Sequence, residues 1–245
     1  MKLKIILPVL STMVMLFSGC FIDFNDDQDI FGCLRHEGNV VTKEYRLSSF
    51  DGLELLIPAD VTVTQGPTQS VTVEGYENIL NRLETDVRRG VWKIKTERCI
   101  RDLGELKIWV TIPDVKSLVI SGSGTIYSEN TLASDQFDLT ISGSGEADVA
   151  LDVDKLQSVI SGSGKLTLEG KADQSVLNIS GSGDFYGFNL ETNRTDVNVS
   201  GSGNAEVWVK NFLKARISGS GDIFYRGQPE KDVAISGSGR VIDSN

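Results

Sequence analysis

The sequence predicts an all-β protein whose larger part is a parallel β-solenoid, and two observations support this. The tetrapeptide Ser-Gly-Ser-Gly occurs seven times, starting at residues 121, 142, 161, 180, 200, 218 and 236, so successive copies lie 18 to 21 residues apart. A branched aliphatic residue precedes every copy: Ile120, Ile141, Ile160, Ile179, Val199, Ile217 and Ile235. A fixed period with a recurring apolar position is typical of stacked coils that bury one another's apolar faces.

Two further columns lie at even offsets from this ladder, so all three can face one interior. They comprise Leu118, Leu139, Ser158, Leu177, Val197, Ala215 and Val233, and then Ile126, Ala147, Leu166, Phe185, Ala205, Ile223 and Val241. We expect about three short strands per coil, with like positions stacked about 4.8 Å apart. Parallel crossovers favour right-handed winding. The tetrapeptide suits a corner, where glycine accepts positive φ and serine hydroxyls can bond the backbone.

The preceding region, residues 40–112, is β-rich but lacks the tetrapeptide. Short runs with mostly alternating apolar residues predict strands at Leu53–Ile57, Val61–Gln65, Val71–Glu74, Trp92–Lys95 and Leu106–Ile112. Helix-like spacing occurs at Ile79–Val87, which predicts a single short helix or turn. We therefore divide the chain into a signal peptide (1–19), a tether (20–39), an N-terminal β-rich part (40–112) and a repeat solenoid (113–245) continuous with it.

The first nineteen residues predict export. Lys2 and Lys4 precede an apolar run from Ile5 to Phe17, which is the pattern of a secretory signal peptide and too short for a membrane span. Cys20 follows Ser18-Gly19 and resembles the lipidated cysteine of a bacterial lipobox, which would attach the mature protein to a membrane through lipid. The alternative is an ordinary secreted protein in which Cys20 is a free thiol.

The segment after Cys20 is acidic and reads as a flexible tether. Asp23, Asp26, Asp27 and Asp29 follow the cysteine closely. In some Gram-negative groups a similar acidic tract directs a lipoprotein to the cell surface, and a plain solvated spacer is the alternative. We predict an outer-membrane lipoprotein that faces either the periplasm or the cell surface.

Export also bears on the other cysteines and on charge. We predict a disulfide between Cys33 and Cys99, with two buried free thiols as the alternative. These cysteines and the single histidine, His36, are too few for a zinc site, and His36 is expected to be exposed. Loss of residues 1–19 removes two lysines and no acids, which takes the net charge from -10 to -12. A protein this acidic repels nucleic acid, so we expect no nucleic-acid partner. We also expect no metal and no cofactor.

Carboxylates raise one catalytic alternative. Solenoids can carry polysaccharide-active enzymes whose acids converge in a groove. Asp148 and Glu206 share one repeat offset, and Asp184 and Asp222 share another. The coils vary too little in length to build a long-looped cleft, and no nucleophile elbow occurs in a strand-to-helix context. A non-catalytic module is therefore our first hypothesis.

Aromatic residues mark a candidate ligand surface. Tyr127, Tyr186 and Phe224 share an outward offset, and Trp208 follows nearby. Exposed aromatic rings can stack on a glycan or pack against an envelope protein. The alternative is that several of them turn inward at corners.

The ISGSG and VSGSG units follow the stretches FDGLELLIPADVTVTQGPTQSVTVEGYENIL, VWKIKT and LKIWVTIP. Together they resemble the head GIN domain family, which is described as "putative auto-transporter adhesins". The resemblance covers roughly residues 40–243. It implies an exported, often lipidated β-helical protein with an adhesin-like role. It supplies no catalytic residues for this chain.

Overall fold

Nineteen strands and one short helix form the part of the chain described by this computed structural model, residues 33–245. The predicted signal peptide, Cys20 and the acidic residues after it lie outside these residues. The elements are β1 (Leu34–Arg35), β2 (Val40–Tyr45), β3 (Gly52–Leu55), β4 (Asp60–Gln65), β5 (Ser70–Tyr76), α1 (Glu77–Leu80), β6 (Val87–Arg88), β7 (Val91–Ile94), β8 (Ile100–Asp102), β9 (Lys107–Ile112), β10 (Ser117–Gly122), β11 (Thr125–Ser128), β12 (Leu132–Gly143), β13 (Glu146–Gly162), β14 (Lys165–Gly181), β15 (Asp184–Gly201), β16 (Ala205–Gly219), β17 (Ile223–Arg226), β18 (Glu230–Gly237) and β19 (Val241–Asp243).

The repeats form the predicted parallel solenoid. From β12 to β16 a single strand of 12 to 18 residues runs around each coil and pairs in parallel with the next. From β13 to β14 the strand ends at Gly162, the first glycine of the tetrapeptide, and the next strand begins at Lys165, directly after the tetrapeptide. The expectation of three short strands per coil was wrong, because coils in matched register continue their ladder around the other bends.

The N-terminal strands continue the stack, but not in chain order. β3 and β4 pair in parallel with β10 and β11 on one side and with β7 and β9 on the other. The β3–β4 coil comes first in the chain but second in the stack. The β7–β9 coil lies on its N-terminal side, toward the end covered by β5, and the first repeat coil lies on its other side. The predicted strands in this region are confirmed.

The two ends of the stack differ. At the N-terminal end, antiparallel β5 covers β9, β2 covers β5, and β6 covers β7. At the other end, β18 has β16 as its one strand partner among residues 33–245, and all eight residues of β18 are exposed. Val233 and Ile235, predicted interior residues, are 42% and 44% exposed because no coil within the described residues stacks beyond them.

The interior follows the predicted columns over the preceding six coils. Their members are buried, including Ile120 at 1%, Ile179 at 2% and Ile217 at 3% exposure. Ser158 lies between Leu139 and Leu177, and its buried hydroxyl has no hydrogen-bond partner among the described residues. Other interior columns were not predicted, among them those of Leu132 with Leu151 and of Val149 with Leu168. One further column has two polar members, which conceal its apolar character: Phe137, Leu156, Ser175, Thr195 and Leu213.

The tetrapeptide occupies a corner, as predicted for its glycines. Gly181 has φ +116°, and a Cβ placed on it would lie 2.5 Å from the carbonyl oxygen of Gly162 in the preceding coil. The serines behave differently from the prediction. Backbone bonds such as Ser182 N–H to Gly162 C=O join successive corners, and serine side chains such as Ser180 and Ser200 are exposed. The corner therefore depends on close backbone stacking rather than on serine hydroxyls.

Three local expectations concern the N-terminal region. The helix is shorter and earlier than predicted, because α1 ends at Leu80 and Val87 already belongs to β6. Cys33 and Cys99 form a disulfide with a Cα–Cα distance of 4.7 Å, beside the parallel β1–β8 pair. His36 is half-buried rather than exposed, because its ring lies 4.4 Å from that of Tyr76.

Candidate binding surface

One outward column of side chains runs along the solenoid, with one residue from each coil. The parallel registers align these positions, so neighbours are about 4.8 Å apart. We call this set the aromatic column; from the N-terminal end it comprises Trp109, Thr62, Tyr127, Asp148, Thr167, Tyr186, Glu206, Phe224 and Ile242.

The exposed aromatic side chains of residues 33–245 all belong to this column. They are Trp109, Tyr127 and Tyr186, exposed at 40%, 44% and 38%. Phe224, in the same column, is half-buried. The strand alternation turns these rings outward because their neighbours along each strand, such as Ile108 and Val110 beside Trp109, fill the interior. The surface thus offers apolar ring area in a single line.

Three of the four predicted aromatic residues lie in the column, and the fourth lies beside it. Trp208 is two residues after Glu206, so it points to the same side but occupies the adjacent column, in register with Arg226. It is half-buried. Trp208 therefore borders the aromatic column instead of extending it.

Sequence reasoning missed Trp109. The residue lies outside the repeats, so alignment on the tetrapeptide cannot place it. Its strand, β9, joins the column through β4, where Trp109 is opposite Thr62. Alternation along Leu106–Ile112 marks Trp109 as outward, but only the tertiary pairing shows which surface it joins.

Charged groups flank the column and are already engaged. The Lys165 ammonium lies 2.8 Å from Glu146 Oε1 and 5.5 Å from the centroid of the Tyr186 ring. The Arg226 guanidinium lies 4.1 Å from the centroid of the Phe188 ring. Partial burial raises the pKa of Glu206, and the nearby Arg226 charge opposes that shift. These two positive charges beside the column are thus held by other side chains.

The four candidate catalytic carboxylates do not form an acid pair. Asp148 and Glu206 lie in the aromatic column, but Thr167 and Tyr186 separate them. Two residues away along the strands, Asp184 and Asp222 belong to a different ladder.

In that ladder Asn204 donates its amide to Asp184 Oδ1 at 3.0 Å, and Arg240 donates to Asp222 Oδ2 at 2.6 Å. The hydrogen bond from Arg240 lowers the pKa of Asp222, which remains ionised. The convergent groove required by the enzyme alternative is not built by these four residues.

Within residues 33–245, no group of three or more His, Cys, Asp or Glu side chains is arranged to hold a metal ion. In the same part of the chain, no helix has the length and apolar character required to cross a membrane.

These features define the class of protein: a parallel β-solenoid with a capped N-terminal end and one outward column that carries exposed aromatic side chains. The model of the family described as "putative auto-transporter adhesin, head GIN domain" matches residues 49–229, and the chain belongs to this family. The predicted resemblance is confirmed. The family's adhesin-like description indicates an exported protein of the cell envelope.

Solved structures share the fold. A putative adhesin from Bacteroides fragilis is 24% identical, with a TM-score of 0.82 over 86% of this chain and 100% of that one. A putative lipid binding protein from Parabacteroides distasonis is 24% identical, with a TM-score of 0.73 over 86% and 99% of the two chains. A putative adhesin from Parabacteroides merdae is 21% identical, with a TM-score of 0.73 and the same coverage. A comparison with curated protein sequences gives no match.

Proposed function

We propose that this protein is a lipid-anchored, non-catalytic binding module of the bacterial envelope, and that the aromatic column is its adhesive surface. The observation that carries the proposal is the restriction of exposed aromatic side chains, within the described residues, to this column. About two-fifths of the area of each ring is exposed and makes no contact within the fold. A ligand that covers this apolar area would gain binding energy. Membership of an adhesin-like family supports the same role.

Anchoring follows from the N-terminal sequence. Cys20 at the end of the signal peptide would carry the lipid, and the acidic stretch after it would separate the solenoid from the bilayer. The proposed address is the outer membrane, with the solenoid in the periplasm or outside the cell. The proposed partner is a surface glycan or an envelope protein.

Lipidation is tested by substituting Cys20. In cells grown with an alkyne-tagged fatty acid, we expect the wild-type protein to incorporate the tag and Cys20→Ser to lose it, because the thiol is the acylated atom. Ser18→Ala keeps a small residue near the cleavage point and should be labelled like the wild type. Equal labelling of Cys20→Ser would show that Cys20 is not the anchor.

The adhesive surface is tested with protein comprising residues 21–245, which includes the whole described fold. Intact cells of the producing strain, with its own copy deleted, serve as the probe. We expect Trp109→Ala, Tyr127→Ala and Tyr186→Ala together to weaken cell binding at least tenfold, because stacking contacts are lost.

A matched control removes three exposed apolar side chains elsewhere: Val40→Ala, Leu56→Ala and Val176→Ala. This variant should bind cells like the wild type. The proposal fails if the wild type does not bind cells, or if the two triple variants bind equally well while both remain folded by circular dichroism.

A further inference from the structure

We infer that the aromatic column binds a neutral, extended polysaccharide chain that lies parallel to the solenoid axis. This inference rests on the proposed binding function and names the ligand class. Its basis is the order of side chains along the column, in which two pairs of aromatic residues each enclose one polar residue.

The spacing of the rings is the first step. Trp109 and Tyr127 are separated by one coil, which contributes Thr62, and Tyr186 and Phe224 are separated by one coil, which contributes Glu206. Each pair of rings is therefore two strand spacings apart, about 10 Å. An extended chain of β-1,4-linked pyranose units turns the same face to one side at every second unit, over nearly this length. Each ring pair can therefore stack on alternate sugars of one chain.

The side chains between the rings supply polar contacts. Thr62 and Glu206 each lie midway between two rings, and Asp148 and Thr167 lie between the two pairs. Carboxylates and hydroxyls accept or share hydrogen bonds with sugar hydroxyls, while the aromatic faces cover the C–H faces of the rings. A protein partner would not require a polar residue midway between the two rings of each pair, since apolar side chains at any spacing would serve it.

The charged side chains in and beside the column favour a neutral polysaccharide over an acidic one. Asp148 and Glu206 place carboxylates in the column itself. Three cations flank the column, and each has a partner: Lys107 pairs with Glu105, Lys165 pairs with Glu146 and lies over the ring of Tyr186, and Arg226 lies over the ring of Phe188. A uronate or sulfate group on the ligand would face like charge at close range. The column therefore discriminates against acidic polysaccharides.

Calorimetric titration of residues 21–245 with defined sugars tests this. The probes are β-1,4-linked glucose oligosaccharides of two, four and six units, the hexamer of β-1,4-linked N-acetylglucosamine, and polygalacturonate as the acidic polymer. We expect affinity to rise at least tenfold from the dimer to the tetramer of at least one neutral series, because a ring pair spans three units. Polygalacturonate should not bind.

A spacing variant separates stacking geometry from simple apolar adhesion. Exchanging register partners, with Trp109→Thr and Thr62→Trp, and Tyr186→Glu and Glu206→Tyr, keeps the composition of the column but brings each ring one coil closer to its pair. We expect at least a tenfold loss of tetramer affinity. The exchange of only the first pair should halve the number of sites.

The outcomes distinguish the two proposals. If no neutral oligosaccharide binds, if polygalacturonate binds as well as they do, or if the spacing variant binds like the wild type, the inference is wrong. Should the triple alanine variant nevertheless lose cell binding, the adhesive surface stands and its partner is a protein or another polymer. Retention of cell binding by the alanine variant refutes the proposed function itself.

Discussion

Ile179→Asp is expected to prevent cooperative folding. Ile179 is 2% exposed and lies between Ile160 and Val199 in the interior ladder, at the middle of the repeats. No cationic partner lies in this column, so the new carboxylate would be buried without compensation. An unpaired buried charge costs more than about 4 kcal/mol, which is a large part of the total stability of a domain, about 5–15 kcal/mol. Because each coil is packed only by its neighbours, the defect also divides the stack.

The measurement is thermal and denaturant unfolding followed by circular dichroism. Ser180→Asp is the matched control, because it introduces the same charge at the next residue of the same strand, where the side chain is exposed. That control should unfold within about 0.5 kcal/mol of the wild type. A cooperative transition of Ile179→Asp at the wild-type midpoint would show that the interior column is assigned incorrectly.

Gly181→Ala should be strongly destabilising, and Gly122→Ala should be clearly milder. Both glycines hold the same place in the tetrapeptide, with φ +116° and +141°. A Cβ on Gly181 would lie 2.5 Å from the Gly162 carbonyl oxygen, whereas a Cβ on Gly122 would meet nothing within 4 Å. Backbone strain of about 1–3 kcal/mol is common to both variants. Overlap with the preceding coil adds about 1–3 kcal/mol to Gly181→Ala alone.

The difference between the two alanine variants measures the stacking contribution of the corner. Urea unfolding of both proteins gives the two free energies of unfolding. Equal losses would mean that φ alone explains the glycine, and that successive corners can move apart without cost. A larger loss for Gly122→Ala would contradict the described packing.

Much of the solenoid could be predicted, because the repeats can be aligned with one another and equivalent positions then show which residue types recur. Aligning seven tetrapeptides identified the buried ladder that contains Ile120 and Ile179, and the even spacing identified its companion columns. The same alignment placed Tyr127, Tyr186 and Phe224 at one outward offset. It could not find the column of Phe137 and Ser175, because polar members conceal its apolar character.

The order of the N-terminal strands could not be predicted. The β3–β4 coil lies between the β7–β9 coil and the first repeat, although it comes before both in the chain. The alternation of apolar and polar residues predicts which side of a strand is buried. It does not predict with which of the two free edges of the sheet the next strand will pair. That choice depends on the assembled sheet.

By itself, the sequence determined the repeat, the interior ladder, the corner glycines and the outward direction of most of the candidate surface. These follow from local periodicity, since strand geometry alternates side chains whatever the neighbouring strand is. Only the tertiary structure decided that Trp109 completes the aromatic column, that Val233 and Ile235 are exposed, and that the candidate carboxylates form no groove. These properties arise from pairing between residues distant in the chain, where the free strand edges, and not the local pattern, decide which side chains meet.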